Sequence, residues 1–400
     1  MDIKYLEGEE LLNKPLVETE ADAITPEEIE EKYLLGDVRI VTEQARYPLN
    51  TINSMVDGGM YNLNPQFQRR HRWNRTKQSR LIESFIMNVP IPPIFLYEDD
   101  FAKFEVMDGL QRLTAIYEFY KGDFKLQDME YWKELNGYFY NELPTVIRRA
   151  IDRRYLSSII LLKETAKSQE EAERMKMIVF DRINSGGIRL EYQESRNAKF
   201  QGTFNNLVEE LSRNYYLRTI YGVPVESDYA DKEKYKEDLA MNKFYSRMQD
   251  NEHVLRFFAM RFVQSYDSMP LNVFLDKFAE RANGLDEQTI TQYKALFEET
   301  IELVYTLFGN DSFCQWRRKA DGVYVPFSIP SVLIYDPLMQ SLSQLLGDKQ
   351  KLIDNAVEIK KGFAALNFEN RAKFYGRDTK KSNIIERTNL YYDFFKGYIK

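Results

Sequence analysis

The hydrophobic pattern divides the chain into a mixed front part and a helical back part. Short runs of alternating apolar and polar residues are typical of strands, and apolar residues three or four positions apart are typical of helices. The front part shows both patterns in turn, whereas the part beyond residue 168 is helical almost throughout. The predicted strands are 94–97, 104–107 and 155–162, and the predicted helices around them are 49–57, 75–88, 110–120 and 145–153.

These elements predict an α+β fold in three segments. We assign an acidic leader to 1–36, an α/β domain to 37–165 and a mostly helical domain to 166–400. Between residues 2 and 32, eleven Asp and Glu oppose three Lys, and such a block of one charge predicts a solvated leader. The polar stretch 222–237 is predicted to be a mobile connection within the helical domain.

Two residue types are scarce enough to exclude whole classes of chemistry. The 400 residues contain two histidines, His71 and His253, and one cysteine, Cys314. A disulfide framework, a thiolate-rich zinc site and catalysis by several imidazoles are therefore excluded for this sequence. The formal net charge is −7, from 55 Lys and Arg against 62 Asp and Glu. Any contact with nucleic acid must then come from a local basic patch.

We expect no contact with a membrane. No stretch of the sequence reaches the roughly 18 uninterrupted apolar residues that a spanning helix needs. The first residues are acidic and lack the apolar core of a secretory signal. The expected location is therefore cytoplasmic.

The segment 106–114 carries the strongest candidate site. A predicted strand ends at Asp108, Gly109 permits a tight turn, and a predicted helix follows at once. Free amide groups at a helix start bind anions, and a glycine there lets a phosphate approach the backbone. Arg112 could add a bidentate phosphate contact, Asp108 could bind Mg²⁺, and Gln111 could orient a water or a nucleotide edge. The alternative is a structural corner in which Asp108 is the N-cap and Arg112 forms a salt bridge.

A second candidate, the segment 64–73, combines glutamines, cations and aromatic residues in extended backbone. Such a stretch could bind phosphates, with Phe67 or Trp73 stacking on a base. The alternative is a solvated basic strand whose two aromatic side chains lie in the core. The cations of this segment and of the helix after it are Arg69, Arg70, Arg72, Arg75, Lys77 and Arg80.

Two smaller candidates lie further along the chain. Arg148 and Arg149, with Arg153 and Arg154 after them, form a basic cluster that is either a solvated helix face or a patch for DNA. Asn184 begins the stretch Asn184-Ser185-Gly186-Gly187, which is typical of a loop that ends a helix.

Four motifs follow one another between about 64 and 200. They are Pro65-Gln66-Phe67-Gln68-Arg69 with Trp73; Gln78 with Leu81-Ile82 and Pro90-Ile91-Pro92; Asp108-Gly109-Leu110-Gln111-Arg112-Leu113-Thr114; and Phe180 to Leu190 with Glu194 and Asn197. In this order they resemble the family known as domain of unknown function 262. That family supplies the N-terminal module of GmrSD-type modification-dependent restriction enzymes and of related phage-defence proteins. The region beyond 200 resembles the family more loosely.

The resemblance implies a ParB/sulfiredoxin-like fold for the front domain, in which the turn from Gly109 to Arg112 binds nucleotide phosphates with Mg²⁺. It also implies hydrolysis of a nucleoside triphosphate, ATP or GTP, that licenses DNA cleavage. The expected catalytic residues are Asp108, Gln111 and Arg112, with Asp108 also the metal ligand. The expected nucleotide-binding residues are Gln68, Arg69, Gly109, Arg112 and Asn184. The expected DNA-binding residues are Arg70, Arg72, Arg75, Lys77, Arg148 and Arg149.

Two departures from the family pattern limit this expectation. Leu110 stands where the family usually has Gln, which leaves nucleotide binding expected and puts hydrolysis in doubt. The His-rich HNH nuclease module of larger relatives cannot be built from two histidines, so a separate nuclease subunit is the expected partner. Asp348, Glu358 and Lys360 have only the loose spacing of nuclease residues, in a helix-like stretch.

Two other functions stay open from the sequence. One is a DNA-binding adaptor without turnover, and the other is a ParB-like nuclease that nicks DNA itself. The identity of the nucleotide, the DNA target and the oligomeric state, including a homo-oligomer, also stay open.

Overall fold

The computed structural model divides the chain into two compact units. One unit comprises Thr19–Leu190 and the other comprises Met1–Glu18 together with Glu191–Lys400; we call them the α/β unit and the helical unit. The structure describes residues 3–13, 42–63, 73–162, 202–265, 269–327, 329–376 and 380–399, with Glu30 and seven isolated positions between 176 and 196.

The described part of the α/β unit contains a five-stranded sheet of order β1-β5-β3-β4-β2. β1 pairs with β5 and β3 with β4 in antiparallel fashion, whereas β3 pairs with β5 and β2 with β4 in parallel. The strands are β1 (Thr42–Pro48), β2 (Tyr61–Asn62), β3 (Ile94–Asp100), β4 (Lys103–Asp108) and β5 (Tyr155–Leu161). The helices are α1 (Ile52–Asp57), α2 (Arg75–Ile86), α3 (Leu110–Lys121) and α4 (Thr145–Asp152).

A single apolar cluster joins the sheet and these helices. α3 buries Leu113, Ile116 and Phe119, which recur every three residues and therefore lie on one helix face. The strands contribute Leu96 and Val106 from their buried positions. This packing holds β4 and α3 in fixed relation, and the connection between them is consequently a defined turn.

The described part of the helical unit contains eleven helices and one small hairpin. The helices are α5 (Thr203–Leu211), α6 (Tyr215–Ile220), α7 (Lys232–Met241), α8 (Lys243–Ser246), α9 (Gln249–Ala259), α10 (Leu271–Ala282), α11 (Glu287–Phe308), α12 (Val332–Ser343), α13 (Lys349–Asp354), α14 (Ala356–Glu369) and α15 (Lys381–Lys396). The hairpin strands are β6 (Trp316–Arg318) and β7 (Tyr324–Pro326). Among the described helices, none has the length and apolar character that crossing a membrane requires.

The predicted fold class is confirmed: a small sheet with helices in the front part and a mostly helical back part. The predicted strands and helices of the front part match the observed ones to within a few residues. The stretch 222–237 is different, because α7 begins within it at Lys232. Asp348, Glu358 and Lys360 lie at or within α13 and α14, so no strand presents them as nuclease residues.

Residues 3–13 pack into the helical unit through a buried ion pair. Arg261 donates from Nε and Nη2 to the two carboxylate oxygens of Glu9, at 2.8 and 2.9 Å, and both residues have 0% exposure. The Tyr293 hydroxyl donates to the same carboxylate at 2.8 Å, and Arg261 Nη2 also donates to the Lys4 carbonyl at 3.0 Å. A buried carboxylate is tolerated when it is paired and hydrogen-bonded in this way.

This packing corrects the prediction of a solvated leader for residues 3–13. The sequence shows a block of acidic residues, and nothing local pairs Glu9 with an arginine 252 positions away. Glu10 is exposed as predicted, but Glu9 is not. The rest of the predicted leader, apart from Glu30, lies outside the described residues.

We predict that Glu9→Gln lowers the free energy of unfolding by about 3–5 kcal/mol, because it leaves the Arg261 guanidinium buried without a counter-charge. Urea denaturation of the whole protein measures this loss. Glu10→Gln makes the same chemical change one residue away at an exposed position, and we expect it to stay within about 0.5 kcal/mol of the wild type. Similar losses in the two variants would contradict the assignment.

His253 in α9 is packed among aromatic side chains. Its Nδ1 donates to the Gln249 carbonyl at 2.7 Å, and the rings of Tyr221, Phe244 and Tyr335 lie 4.8–5.0 Å from its own, centroid to centroid. Burial lowers the pKa of His253 to about 3, because the charged imidazolium would lose its hydration there. The ring is therefore neutral at pH 7 in the folded protein.

We predict a pH dependence of stability from His253. Its folded pKa is below the unfolded value of about 6.5, so between pH 6.5 and 3 the unfolded chain binds the extra proton. The stabilising contribution of the neutral His253 ring is fully present above pH 6.5. It is lost as the pH falls, and the free energy of unfolding then decreases by up to about 1.4 kcal/mol per pH unit. In His253→Asn, which keeps a donor near the position of Nδ1, urea denaturation between pH 6.5 and 4.5 should show a flatter dependence. Parallel curves for the two proteins would refute this.

Candidate functional site

The turn between β4 and α3 brings the strongest predicted residues together. β4 ends at Asp108 and α3 begins at Leu110, so Gly109 alone makes the connection. Its φ is +91°, and a Cβ at this position would lie 2.4 Å from Ile94 Cγ2 and 2.8 Å from Arg112 Nη2. Both the backbone conformation and the space therefore require glycine.

Arg112 is held over this turn by two contacts. Its Nη2 donates to Asp108 Oδ2 at 2.8 Å and to the Pro93 carbonyl at 3.2 Å. The Arg112 side chain is 17% exposed, and that of Asp108 is 41% exposed. Arg112 Nε is buried and has no hydrogen-bond partner among the described residues. The turn thus presents an accessible carboxylate beside a fixed guanidinium that keeps a free donor.

The start of α3 adds backbone donors to the same place. The first amide that bonds back along the helix is that of Leu113, which donates to the Gly109 carbonyl at 3.0 Å. The amides of residues 110–112 precede it and have no carbonyl within the helix to bond. No side chain caps this helix start. The structural alternative predicted a salt bridge of Arg112 and an N-cap at Asp108. The salt bridge is confirmed, and the cap is wrong, because the N-cap residue is Gly109.

Gln111 connects the turn to the second candidate segment. The Trp73 amide donates to Gln111 Oε1 at 2.8 Å. Because a backbone amide only donates, the side-chain oxygen must face Trp73, which leaves the NH₂ group of Gln111 directed elsewhere. The Trp73 ring packs against the apolar cluster of the α/β unit, as its structural alternative predicted.

Leu110, where the resemblance led us to expect Gln, is part of the core. It is 8% exposed and belongs to the apolar cluster of the α/β unit. The departure from the family pattern at Leu110 thus changes a core position. The polar groups of the turn come from the neighbouring residues Asp108, Gln111 and Arg112.

The chemistry of a divalent metal fits Asp108 only in part. Among the residues that the structure describes, no three His, Cys, Asp or Glu side chains are grouped as a metal site. Mg²⁺ commonly takes one or two carboxylates and completes its shell with water and substrate phosphates. One accessible carboxylate beside phosphate-binding groups fits that pattern.

The other predicted residues are distributed differently. Arg75 Nη1 donates to Glu118 Oε2 at 2.6 Å and to Gln78 Oε1 at 2.8 Å, so this cation is engaged within its own unit. Arg148 donates to the Asn141 carbonyl at 3.5 Å. The remaining predicted cations that the structure describes, Lys77 and Arg149, are exposed. Gln68, Arg69, Arg70, Arg72 and Asn184 lie outside the described residues.

Sequence reasoning missed two acidic residues that organise parts of the α/β unit. Glu83, 3% exposed, accepts hydrogen bonds from the amides of residues 130–132 at 3.1, 2.7 and 2.9 Å, and this fixes that loop to α2. Glu105 of β4 pairs with Lys176, whose ammonium also lies 5.2 Å from the centre of the Tyr97 ring. An acid within the apolar face of a predicted helix is the one signal that could have revealed Glu83.

Comparison with known protein families agrees with the resemblance. Residues 49–201 match the family model of the GmrSD restriction endonuclease N-terminal domain. The matched range contains the turn, the second candidate segment 64–73 and Asn184. No curated protein matches the chain. No solved structure matches it either, and the ParB/sulfiredoxin-like fold of the front domain therefore stays a prediction.

We predict that Gly109→Ala destabilises the protein more than Gly122→Ala does. Gly122, at the other end of α3, also has a positive φ, +78°, but no atom lies within 4 Å of a Cβ placed there. Both variants lose roughly 1–2 kcal/mol from the left-handed conformation, and only Gly109→Ala adds the clash with Ile94. Thermal unfolding should show the larger loss of Tm for Gly109→Ala. Equal losses would mean that Ile94 does not crowd the turn.

Proposed function

We propose that this chain is a nucleotide-binding, Mg²⁺-dependent NTP-hydrolysing module of a DNA-restriction or anti-phage defence system. The observation that carries the proposal is the turn at Gly109, where a partly exposed carboxylate, a fixed guanidinium and the free amides of a helix start lie within one helical turn. The match of residues 49–201 to the GmrSD N-terminal domain supports a role in a restriction system. We further propose a cytoplasmic location.

Phosphate binding follows from the donors at the turn. The amides of residues 110–112 and the positive end of the α3 dipole attract an anion, and Gly109 leaves the backbone open to close approach. A buried donor without a partner costs about 1–3 kcal/mol. Arg112 Nε is such a donor, and it is closed to solvent in this structure, so a phosphate oxygen would accept from it and recover this free energy only after the side chain moves outward. Both ATP and GTP carry the phosphates that these groups would bind.

Asp108 is the residue that would hold Mg²⁺ beside the phosphates. When bound, the ion would neutralise charge on the phosphate oxygens. Arg112 would bind phosphate, and Gln111 would orient water through the NH₂ group that Trp73 leaves free. No histidine occurs between His71 and His253 in the sequence. The rate acceleration would then come from electrostatic stabilisation and positioning of the phosphates by Asp108 with its metal ion, by Arg112 and by the amides at the start of α3.

Cleavage of DNA is proposed to depend on a separate nuclease subunit, because two histidines cannot supply an HNH module. The second candidate function is a DNA-binding adaptor without turnover. It is favoured by the exposure of Lys77, Arg80 and Arg149 in the α/β unit. Steady phosphate release from ATP or GTP separates hydrolysis from the adaptor.

We predict that Asp108→Asn and Arg112→Gln each lower phosphate release from ATP or GTP with Mg²⁺ by about 100-fold or more, since the first removes the carboxylate that would hold the metal ion and the second removes the cation that would bind the reacting phosphates. Malachite-green detection of phosphate measures this. Arg213→Gln is the matched control: it removes the arginine of another (i, i+4) pair, with Glu209 in the helical unit, and should leave turnover unchanged. Equal turnover in all four proteins would refute the catalytic assignment.

Binding and hydrolysis can be measured separately. A fluorescent nucleotide analogue reports affinity in the absence of turnover. We expect Arg112→Gln to weaken binding and Asp108→Asn to weaken only the Mg²⁺-dependent part. If the wild type binds nucleotide tightly but releases no phosphate, the module is a nucleotide sensor. That result would refute the proposed hydrolysis and leave the proposed binding intact.

A further inference from the structure

The β6–β7 hairpin of the helical unit is a short, defined ribbon. Arg318 pairs with Tyr324 across the two strands. The loop is closed by Lys319, whose amide donates to the Val323 carbonyl at 2.9 Å and whose carbonyl accepts from the Gly322 amide at 3.0 Å. Gly322 has a φ of +88°, as a three-residue hairpin loop requires at its last position. Backbone hydrogen bonds and this glycine therefore define the loop of the ribbon.

Three consecutive cations of this hairpin outnumber its one acid. Arg317, Arg318 and Lys319 are exposed, and none forms an ion pair within 4 Å of a carboxylate among the described residues. The one acid of the hairpin, Asp321, accepts from the Val323 amide at 3.0 Å. In a chain of net charge −7, a run of unpaired cations on an ordered element points to an anionic ligand.

Aromatic rings hold two of the guanidinium groups of this surface in place. The Arg318 guanidinium lies 5.8 Å from the centre of the Tyr324 ring, and that of Arg371 lies 4.9 Å from the centre of the Phe368 ring. The two rings are 5.8 Å apart. Arg371 also donates to the Phe368 carbonyl at 3.2 Å. Guanidinium groups fixed in this way lose little conformational entropy when they bind. We call Arg317, Arg318, Lys319, Tyr324, Phe368 and Arg371 the hairpin ridge.

We propose that the hairpin ridge binds duplex DNA. The major groove of B-form DNA admits a two-stranded ribbon, and the cations on the ridge would contact the phosphates beside it. Planar guanidinium groups suit phosphate oxygens through paired hydrogen bonds. A-form RNA has a major groove too deep and narrow for such an element.

The test compares two double variants of the full chain. Arg317→Gln/Lys319→Gln removes two charges from the ridge, and Lys232→Gln/Lys234→Gln removes two exposed charges from α7. Fluorescence anisotropy with a labelled DNA duplex of about 20 base pairs is measured over a series of salt concentrations. Each lost phosphate contact lowers the slope of log K against log salt by about 0.9. We expect the ridge variant to lose about 2 in slope and to bind roughly tenfold more weakly or worse, and the α7 variant to match the wild type.

Further arms make each outcome decisive. Arg371→Gln lies outside the hairpin, so it tests the ridge without altering the ribbon, and we expect a slope change of about 1. Absent DNA binding, an unchanged slope in the ridge variants, equal losses in the α7 variant, or tighter binding to duplex RNA or to vesicles containing phosphatidylserine would each overturn the proposal. Phosphate release from ATP or GTP should be the same in all variants without DNA, which separates this site from the turn at Gly109.

Discussion

The site of the α/β unit depends on the absence of a side chain at one residue. β3 and β4 are paired as far as Phe95 and Asp108, and this register brings Ile94 against the turn that follows. The chain can pass from strand to helix there only in a left-handed conformation and without a Cβ. The close fit that excludes other residues at Gly109 is also what brings the carboxylate, the guanidinium and the helix amides to one point. The hydrogen bonds of the sheet and the burial of α3 stabilise this conformation.

The ion pair at the turn is weak enough to open for the phosphate and the cation that we propose. Asp108 and Arg112 are partly exposed, and ion pairs of this kind contribute about 0–1 kcal/mol. The buried pair of Glu9 and Arg261 is different, because each charge there has lost its water and depends on the other. A weak pair holds both side chains in position when no ligand is bound, and separating it for a phosphate and a cation costs little free energy.

Local chemistry explains which features the sequence could predict. The turn at Gly109 and the helix after it were predictable, since a strand pattern, a glycine and a helical pattern occur in direct succession. Features that depend on distant residues were not. The burial of Glu9 and the engagement of Arg75 by Glu118 come from tertiary packing, and neither leaves a periodic signal. The roles predicted for Asp108 and Arg112 come from this local pattern together with a family resemblance, and the geometry alone is also compatible with a structural corner.

The attachment of residues 3–13 to the helical unit has a consequence for the order of events during synthesis. The carboxylate of Glu9 leaves the ribosome 252 residues before its partner arginine. At elongation rates of about 5–20 residues per second, the delay is ~13–50 s. The whole α/β unit emerges within that interval and can fold while the N-terminal segment still has no binding surface. The N-terminal segment of the nascent chain therefore stays unpacked until the later helices, which carry Arg261 and its neighbours, have formed.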